Sequence, residues 1–341
     1  MGYDNLRLEK GMYRQTGMNF TQVLESLDPS ENYRGTALEG TDAFQRQLKR
    51  FGIKAKGIGS SPVEKFFSTM DSAVLFPEYI ARTVRQGMEE NDILPGIVAS
   101  TTVIDGMDYR SIYTVPENQE EDMETLEEGA EIPVTEIRTK ENLVKLKKRG
   151  RMLVASYEAV RFQKLDMFSV MLRQIGGYIR KQLLKDAVHV LANGDGNNNE
   201  CNLLNVGMDP ISGESGTLGY EQLVEFWAQF YPYNMNTMLC SPDIMLKMLK
   251  IPELQNPLTG LNFQGTGKLT TPLGAALYQS DAVMTNTLIG LDNRYALELV
   301  RAGDVMVEYD KLIDRQLERA AISSIAGFAK INEGAVCALQ V

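Results

Sequence analysis

The chain has 341 residues, enough for one large domain or two to three modest ones, with 43% hydrophobic and 23% charged residues, as in folded globular proteins. The formal net charge of −10 disfavours a general nucleic-acid or membrane-surface binder, because either would need a basic face. The sequence contains no apolar run of about 18 residues, so no membrane-spanning helix is predicted. The N-terminus lacks the apolar segment of a secretory signal.

Residues 1–70 combine polar helical fragments with turn-rich stretches. Thr41 or Asp42 is suited to cap a short helix that carries Phe44 and Phe51 on one side. The segment has too few apolar residues for a core of its own. Two interpretations stay open: a disordered tail, or an extended arm that becomes ordered on a partner chain through its few apolar side chains. The apolar anchors that favour the arm are Phe20, Leu24, Leu27, Phe44 and Phe51.

The pattern of residues 72–106 predicts regular secondary structure after the turn-rich N-terminal segment. Residues 72–76 are interpreted as an extended apolar run, and Pro77 as the first-turn proline of a helix with Ile80, Val84 and Met88 facing inward. Further on, Asp105-Gly106 is the dipeptide favoured in tight turns, so a β-hairpin is expected around it.

Residues 117–151 form the most polarised stretch of the chain. The first part carries eight acids and no base: Glu117, Glu120, Glu121, Asp122, Glu124, Glu127, Glu128 and Glu131. The second part carries seven bases and one acid, and the bases are Arg138, Lys140, Lys145, Lys147, Lys148, Arg149 and Arg151. Val144 and Leu146 alternate with lysines, which is the period of a strand with one solvated face. The pattern predicts a long projecting β-hairpin with an acidic tip and a basic stem.

Three interpretations of these charges remain open. They form a solvated loop and strand face, they contact complementary charges on copies of the same chain, or the carboxylates hold a divalent cation. The segregation of the two signs favours contact between copies. The third interpretation lacks a DxDxDG calcium loop in support.

Leu165–Gly196 predicts one long helix that ends at a glycine stop. Its apolar stripe is Phe168, Leu172, Ile175, Ile179, Leu183, Ala187 and Val190/Leu191. Asn193-Gly194 suits a left-handed helix end. Gly176-Gly177 in the middle costs about 1 kcal/mol per glycine relative to alanine. We therefore expect a bend or a closely packed strand at these two glycines.

Few residues offer chemistry. Cys201, Cys240 and Cys337 are far apart without a CxxC motif, so buried, inert thiols and no zinc site are expected. His189 is the only histidine, which excludes a histidine pair as metal ligands. The glycine pair Gly194 and Gly196 follows a helix, whereas a phosphate loop precedes one. No enzyme motif is recognised, and no cofactor or metal is predicted.

The order of motifs resembles the major capsid proteins of tailed bacteriophages, with the Hong Kong 97-type fold. The similar motifs are SAVLFPEYI, the EG-x-x-IP signature at 128–133, KRGRMLVASYEAV, a long helix ending in NGDG, GDVMVEYD, and AISSIAGFAKINEGAVCAL. Together they cover about residues 70–341. The resemblance implies an α+β fold with an arm, an extended loop, a peripheral domain and an axial domain.

The implied domains follow the chain in a fixed order. They are an N-terminal arm (1–70), the start of the peripheral domain (71–106), the extended loop (107–148), the peripheral domain (149–214) with spine helix 165–192, the axial domain (215–300), and strands that return to the peripheral domain (301–341).

The implied function is a non-enzymatic shell protein. Hexamers and pentamers of the chain would enclose double-stranded DNA without sequence-specific contact, helped by a separate scaffolding protein and a portal. The virion would be its location, after assembly in the cytoplasm of a bacterial host, with no membrane partner. Some relatives cross-link this loop through a lysine, but no lysine lies between Arg110 and Lys140, so no cross-link is expected. The alternatives are an encapsulin-like compartment and a soluble α/β enzyme without a recognised motif.

Overall fold

A computed structural model of the chain describes residues 3–14, 18–116, 135–206, 218–255, 273–312 and 317–341. The chain divides into two compact units that alternate along the sequence. The first unit comprises Met1–Asn91, Lys148–Arg180 and Asp304–Ser324; the second comprises Asp92–Lys147, Lys181–Gly303 and Ile325–Val341. Within the described ranges, no helix is long and apolar enough to cross a membrane.

The N-terminal segment is folded within the first unit. Helix α1 spans Phe20–Leu27 and helix α2 spans Ala43–Arg50. Each begins at a capping box, in which Asn19 and Asp42 accept hydrogen bonds of 2.9 and 2.7 Å from the backbone N–H three residues on. Asp42 is therefore the cap that the sequence predicted. The buried apolar side chains of the two helices are Phe20, Val23, Leu24, Ala43 and Phe44.

A fully buried arginine lies at the centre of this segment. Arg46 Nε donates to Asp28 Oδ2 at 2.7 Å, and Arg46 Nη1 donates to Ser30 Oγ at 3.0 Å. The guanidinium also lies over the Tyr33 ring, 4.3 Å from its centroid. The expected disordered tail is therefore wrong for residues 3–14 and 18–70, whereas an arm that contacts a partner chain stays a prediction. The buried guanidinium is paired and hydrogen-bonded, which is what the burial of a charge requires.

Helix α3 spans Met70–Glu89 and starts well before the predicted residue. The hydroxyl of Thr69 accepts a hydrogen bond from the Ser72 backbone N–H at 3.1 Å and completes a capping box. Pro77 lies inside the helix, so the expected extended run before it is wrong. Burial of Val74, Leu75 and Phe76 on the N-terminal side of the proline compensates for the backbone hydrogen bond that it removes.

Two helices follow each other in the middle of the chain. Helix α4 spans Tyr157–Phe162 and is capped by Ser156, with 3.2 Å between Ser156 Oγ and the Ala159 nitrogen. Helix α5 spans Leu165–Asn193 and is the predicted long helix. It ends at Gly194, whose φ is +74°. The predicted apolar stripe is buried at Phe168, Leu172, Ile175, Ile179, Leu183, Ala187 and Leu191.

Three strands complete the first unit. They are β4 (Lys147–Ser156), β10 (Met306–Leu312) and β11 (Leu317–Lys330), of which β11 continues into the second unit. β10 and β11 are antiparallel, with Met306 opposite Ser323, and β4 also pairs with β11. The resemblance implied strands over residues 301–341, and β10 and β11 lie in that range.

The larger sheet of the second unit has five strands in the order β5-β12-β8-β6-β7. The strands are β5 (Asn202–Asn205), β6 (Thr237–Cys240), β7 (Ala276–Gln279), β8 (Thr287–Leu291) and β12 (Val336–Gln340). The helices are α6 (Tyr220–Ala228), α7 (Pro242–Leu249) and α8 (Pro252–Gln255). Phe226, Met238 and Met248 are fully buried in the shared core. Along the chain, strand β6 lies between helices α6 and α7.

The second unit contains further strand pairings outside this sheet. Strand β1 (Ser100–Ile104) runs parallel to β9 (Leu297–Ala302), with Ser100 opposite Glu298. The hairpin predicted around Asp105-Gly106 is therefore wrong, because β1 pairs with a strand far along the chain. Strand β2 (Ile112–Pro116) instead pairs antiparallel with β3 (Thr135–Thr139).

The two units do not follow the predicted segment boundaries. Residues 92–106 were assigned to the peripheral domain, but they lie in the same unit as the predicted axial residues 218–255. Strand β12, expected to return to the peripheral domain, pairs with β8 of the predicted axial region. In both cases a strand pairs with a partner that is distant in the sequence, and this pairing places it in a different unit from the one expected.

Candidate inter-subunit contact surfaces

The base of the predicted hairpin is a regular two-stranded ladder. Ile112 lies opposite Thr139, and Pro116 lies opposite Thr135. The side chains of Ile112 and Ile137 are exposed. The predicted acidic contact residues fall outside the described residues: Glu117, Glu120, Glu121, Asp122, Glu124, Glu127, Glu128 and Glu131.

The strand that enters the hairpin is held by a buried carboxylate. Glu298 of β9 accepts hydrogen bonds from the hydroxyls of Thr102 (2.5 Å), Tyr109 (2.7 Å) and Ser111 (2.6 Å). Burial and the nearby Glu298 carboxylate raise the pKa of Tyr109, so its hydroxyl stays protonated and available as a donor. Residues 109–111 immediately precede β2. The carboxylate therefore fixes the entry to the hairpin.

The strand that leaves the hairpin is held by a second buried carboxylate. Lys140, which follows β3, is buried, and its Nζ lies 3.3 Å from Asp195 Oδ2 and also contacts the Lys330 carbonyl oxygen. The Lys330 backbone N–H donates to the same Asp195 oxygen at 3.0 Å. Burial opposes ionisation of Asp195, but hydrogen bonds from Asn197 and the charge of Lys140 outweigh it and lower its pKa. Lys140 was predicted as an inter-subunit contact; its ammonium is instead enclosed within its own unit.

The other predicted basic residues lie nearer the surface. Lys145 and Lys148 are exposed, and Lys147 pairs with Asp186 at 2.8 Å. Arg151 lies over the Tyr178 ring, 5.1 Å from its centroid. Arg138 is exposed on β3, and Arg149 is half-buried on β4. The predicted contact of these six residues with other copies of the chain stays a prediction.

The two glycines of α5 have different environments. A Cβ at Gly176 would lie 2.8 Å from the Met88 nitrogen and 2.9 Å from the Gly87 carbonyl carbon, both in α3. A Cβ at Gly177 would meet nothing within 4 Å. The expected close packing is therefore confirmed at Gly176, although the neighbour is a helix rather than a strand. Helix α5 is continuous through both positions, and the proposed bend remains a prediction.

Sequence reasoning missed an apolar face of α5 that is exposed. Met167 (54%), Met171 (51%) and Tyr178 (57%) are accessible, and their spacing places them on one side of the helix, together with Val170. Phe162 of α4, at 76%, is more accessible still. Exposed large apolar side chains at helical spacing are typical of surfaces that contact another protein. The sequence carried this signal beside the buried stripe, since Met167, Met171 and Tyr178 each stand one residue before a buried member of it.

No chemistry of another kind emerges from the described ranges. They hold no group of three or more His, Cys, Asp and Glu side chains suited to a metal ion. Cys201, Cys240 and Cys337 are free thiols. Burial raises the pKa of Cys240 to about 12 and that of Cys337 to about 11, which fits the predicted inert thiols. His189 is exposed on α5.

The architecture has counterparts among solved capsid structures. The chain resembles a virus-like particle from Pyrococcus furiosus, with 12% identity, a TM-score of 0.50, and coverage of 78% of this chain and 99% of that one. It also resembles a structure from Mycobacterium phage Che8, with 12% identity, a TM-score of 0.50, and coverage of 73% of this chain and 88% of that one. A structure from Microbacterium phage Oxtober96 has 8% identity, a TM-score of 0.50, and coverage of 73% of this chain and 90% of that one. At such identities the likeness shows the fold alone, and it confirms the predicted Hong Kong 97-type α+β capsid fold.

A match in sequence shows the family of the chain, which the likeness in fold does not. Residues 139–323, more than half of the chain, match the phage capsid protein family. No curated protein gave a significant match. The chain belongs to the phage capsid protein family, as the order of its motifs predicted.

Proposed function

We propose that this major capsid protein assembles as hexamers and pentamers into the icosahedral head of a tailed double-stranded DNA bacteriophage. The family match over residues 139–323 carries the proposal. The exposed apolar face of α5 supports it, since a shell protein needs surfaces that copies of the chain can cover. An encapsulin-like compartment has the same fold, but the family match favours the phage head.

The charged residues supply the proposed contact between copies. The acidic residues between Glu117 and Glu131 of one copy face the exposed bases Lys145, Lys148 and Arg151 of another. Eight acids without a base on one side, and exposed bases on β4 and the segment before it, are complementary. Many such contacts of modest strength add up when a shell closes.

The remaining partners follow from the same role. A separate scaffolding protein directs assembly, a portal occupies one vertex, and the shell encloses DNA without sequence-specific contact. The net charge of −10 fits a lining that does not hold phosphates, because salt-dependent phosphate binding requires a basic surface. Assembly takes place in the host bacterial cytoplasm, the virion is the final location, and the chain acts structurally rather than as an enzyme.

Charge reversal tests the contact. Replacing Glu120, Glu121 and Glu124 by lysine is expected to lower the yield of closed particles in sedimentation, and so is the double change K145E/K148E. Combining the two sets in one chain should restore part of the yield, because opposite charges face each other again. Arg34→Glu is a control on an exposed side chain of the N-terminal segment. Wild-type yield from both sets of variants would contradict the proposed contact.

Denaturing electrophoresis tests the expected absence of a covalent link. Since residues 111–139 contain no lysine, particles dissolved in detergent should give one monomer band. A ladder of higher bands would contradict this expectation.

A further inference from the structure

The loop after α5 holds the hairpin by more than the Lys140 ion pair. Asn142 Nδ2 donates to the Gly196 carbonyl oxygen at 2.7 Å, and the Asn142 backbone N–H donates to Asn197 Oδ1 at 3.0 Å. Asn197 in turn donates to Asp195 Oδ1 through its side chain at 2.8 Å. Asp195, Gly196 and Asn197 therefore contact the same short stretch of chain that leaves β3.

The two chain segments at the base of the hairpin are also joined to each other. The Lys140 N–H donates to the Ser111 carbonyl oxygen at 2.8 Å, and the Val144 N–H donates to the Tyr109 carbonyl oxygen at 2.8 Å. Glu298 binds the side chains of Tyr109 and Ser111, as described above. One segment is thus attached to β9 and the other to the loop after α5, all within the second unit.

This arrangement holds the base from two sides with ionised groups. Residue Glu298 is 6% exposed and the Lys140 side chain 8% exposed, so water competes little for their hydrogen bonds. Hydrogen bonds to charged groups are stronger than those between neutral groups. A two-stranded ribbon that is attached at one end would otherwise be free to swing about its base.

We infer that Asp195, Gly196, Asn197 and Glu298 form a socket that fixes the direction in which the β2–β3 hairpin leaves the second unit. The socket lets the hairpin reach a second copy of the chain in one orientation. The four residues are positioning residues that act through the hairpin, and their importance for assembly rests on the proposed contact between copies. The Gly-Asp-Gly stretch after the long helix thereby serves as an attachment point for the hairpin.

Hydrogen exchange at two backbone amides tests the socket directly. In E298A and in N142A, the Lys140 and Val144 amides should exchange about tenfold faster, as expected for losing roughly 1.4 kcal/mol of local protection. E298Q keeps an acceptor oxygen and should lie between the wild type and E298A. The amides of β12 should remain unchanged. Asp281→Ala removes an exposed ion pair with Lys181 in the same unit and should change neither region.

Particle assembly is measured on the same variants. E298A and N142A are expected to give fewer closed particles, with E298Q closer to the wild type. If the β12 amides also exchange faster in E298A, that variant has unfolded. The N142A variant then decides whether the socket holds the hairpin, because Asn142 is at the surface and its replacement should leave the fold intact. Unchanged exchange at Lys140 and Val144 in N142A would refute the socket. Faster exchange together with wild-type particle yield would refute its role in assembly. If the wild type forms no particles, the proposed function fails, while the exchange rates still decide whether the socket holds the hairpin.

Discussion

Gly87 of α3 and Gly176 of α5 face each other where the two helices meet in the first unit. A Cβ on Gly87 would lie 2.7 Å from the Arg173 carbonyl carbon, and one on Gly176 would lie 2.9 Å from the Gly87 carbonyl carbon. Such distances leave no room for a side chain on either helix. The two glycines permit a closer approach of the helix backbones than any other residue would.

Gly176 and Gly177 form a matched pair for a stability test. Gly176→Ala should lower the free energy of unfolding by about 1–3 kcal/mol, because the methyl group forces the helices apart. Gly177→Ala should raise it by up to about 1 kcal/mol, since open space surrounds that position and alanine favours a helix. Urea unfolding of both variants measures the difference. Equal effects of the two substitutions would contradict the close approach.

Arg46 should be essential for the order of the N-terminal segment. Arg46→Met leaves the Asp28 carboxylate buried without its partner, which is expected to cost about 3–5 kcal/mol. Limited proteolysis should then cleave first within residues 18–60. Arg34→Ala is the control: Arg34 forms an exposed pair with Glu31 at 3.9 Å, and the loss of such pairs costs at most about 1 kcal/mol. Similar protease sensitivity of the two variants would argue against a central role for Arg46.

Asp195 should make stability depend on acid pH. The pKa of Asp195 in the folded chain is lowered below that of an unfolded aspartate, which is about 3.9. The ionised carboxylate therefore makes its full contribution to the free energy of unfolding at pH values above about 3.9. The contribution is lost as the pH falls through the lowered folded pKa. The stability difference between the wild type and Asp195→Asn should therefore be constant from pH 7 to about pH 5 and shrink below about pH 4.

Asp281→Asn provides the comparison for this titration. The hydrogen bond from Lys181 also lowers the pKa of Asp281, but this pair is exposed and solvent weakens it. Its stability difference should be small throughout the pH range. A difference between wild type and Asp195→Asn that grows toward acid pH would contradict the assigned direction of the shift.

Local patterns predicted local structure well. The spacing of apolar residues located α5 and its buried face, and Asp42, one of two candidate caps, marked a helix start that the structure confirms. Each of these features depends on residues within a few positions of each other.

Features that depend on distant residues could not be predicted in this way. Strand β1 pairs with β9 almost 200 positions later, and nothing in the Asp105-Gly106 dipeptide reveals that competing partner. Lys140 looked like one of seven exposed bases, because only the fold brings Asp195 and Lys330 beside it. Arg46 lies buried in the N-terminal segment, and it is a charged residue that no apolar pattern would place in a core.

The size of the particles formed by the purified chain tests the central claim most directly. Analytical ultracentrifugation over a range of protein concentrations, with negative-stain microscopy of the fast-sedimenting fraction, measures it. The proposed function predicts pentamers, hexamers or closed shells, of which the shells have megadalton mass. The fraction of the chain in these assemblies should rise with protein concentration. A single monomeric species at every concentration would contradict it.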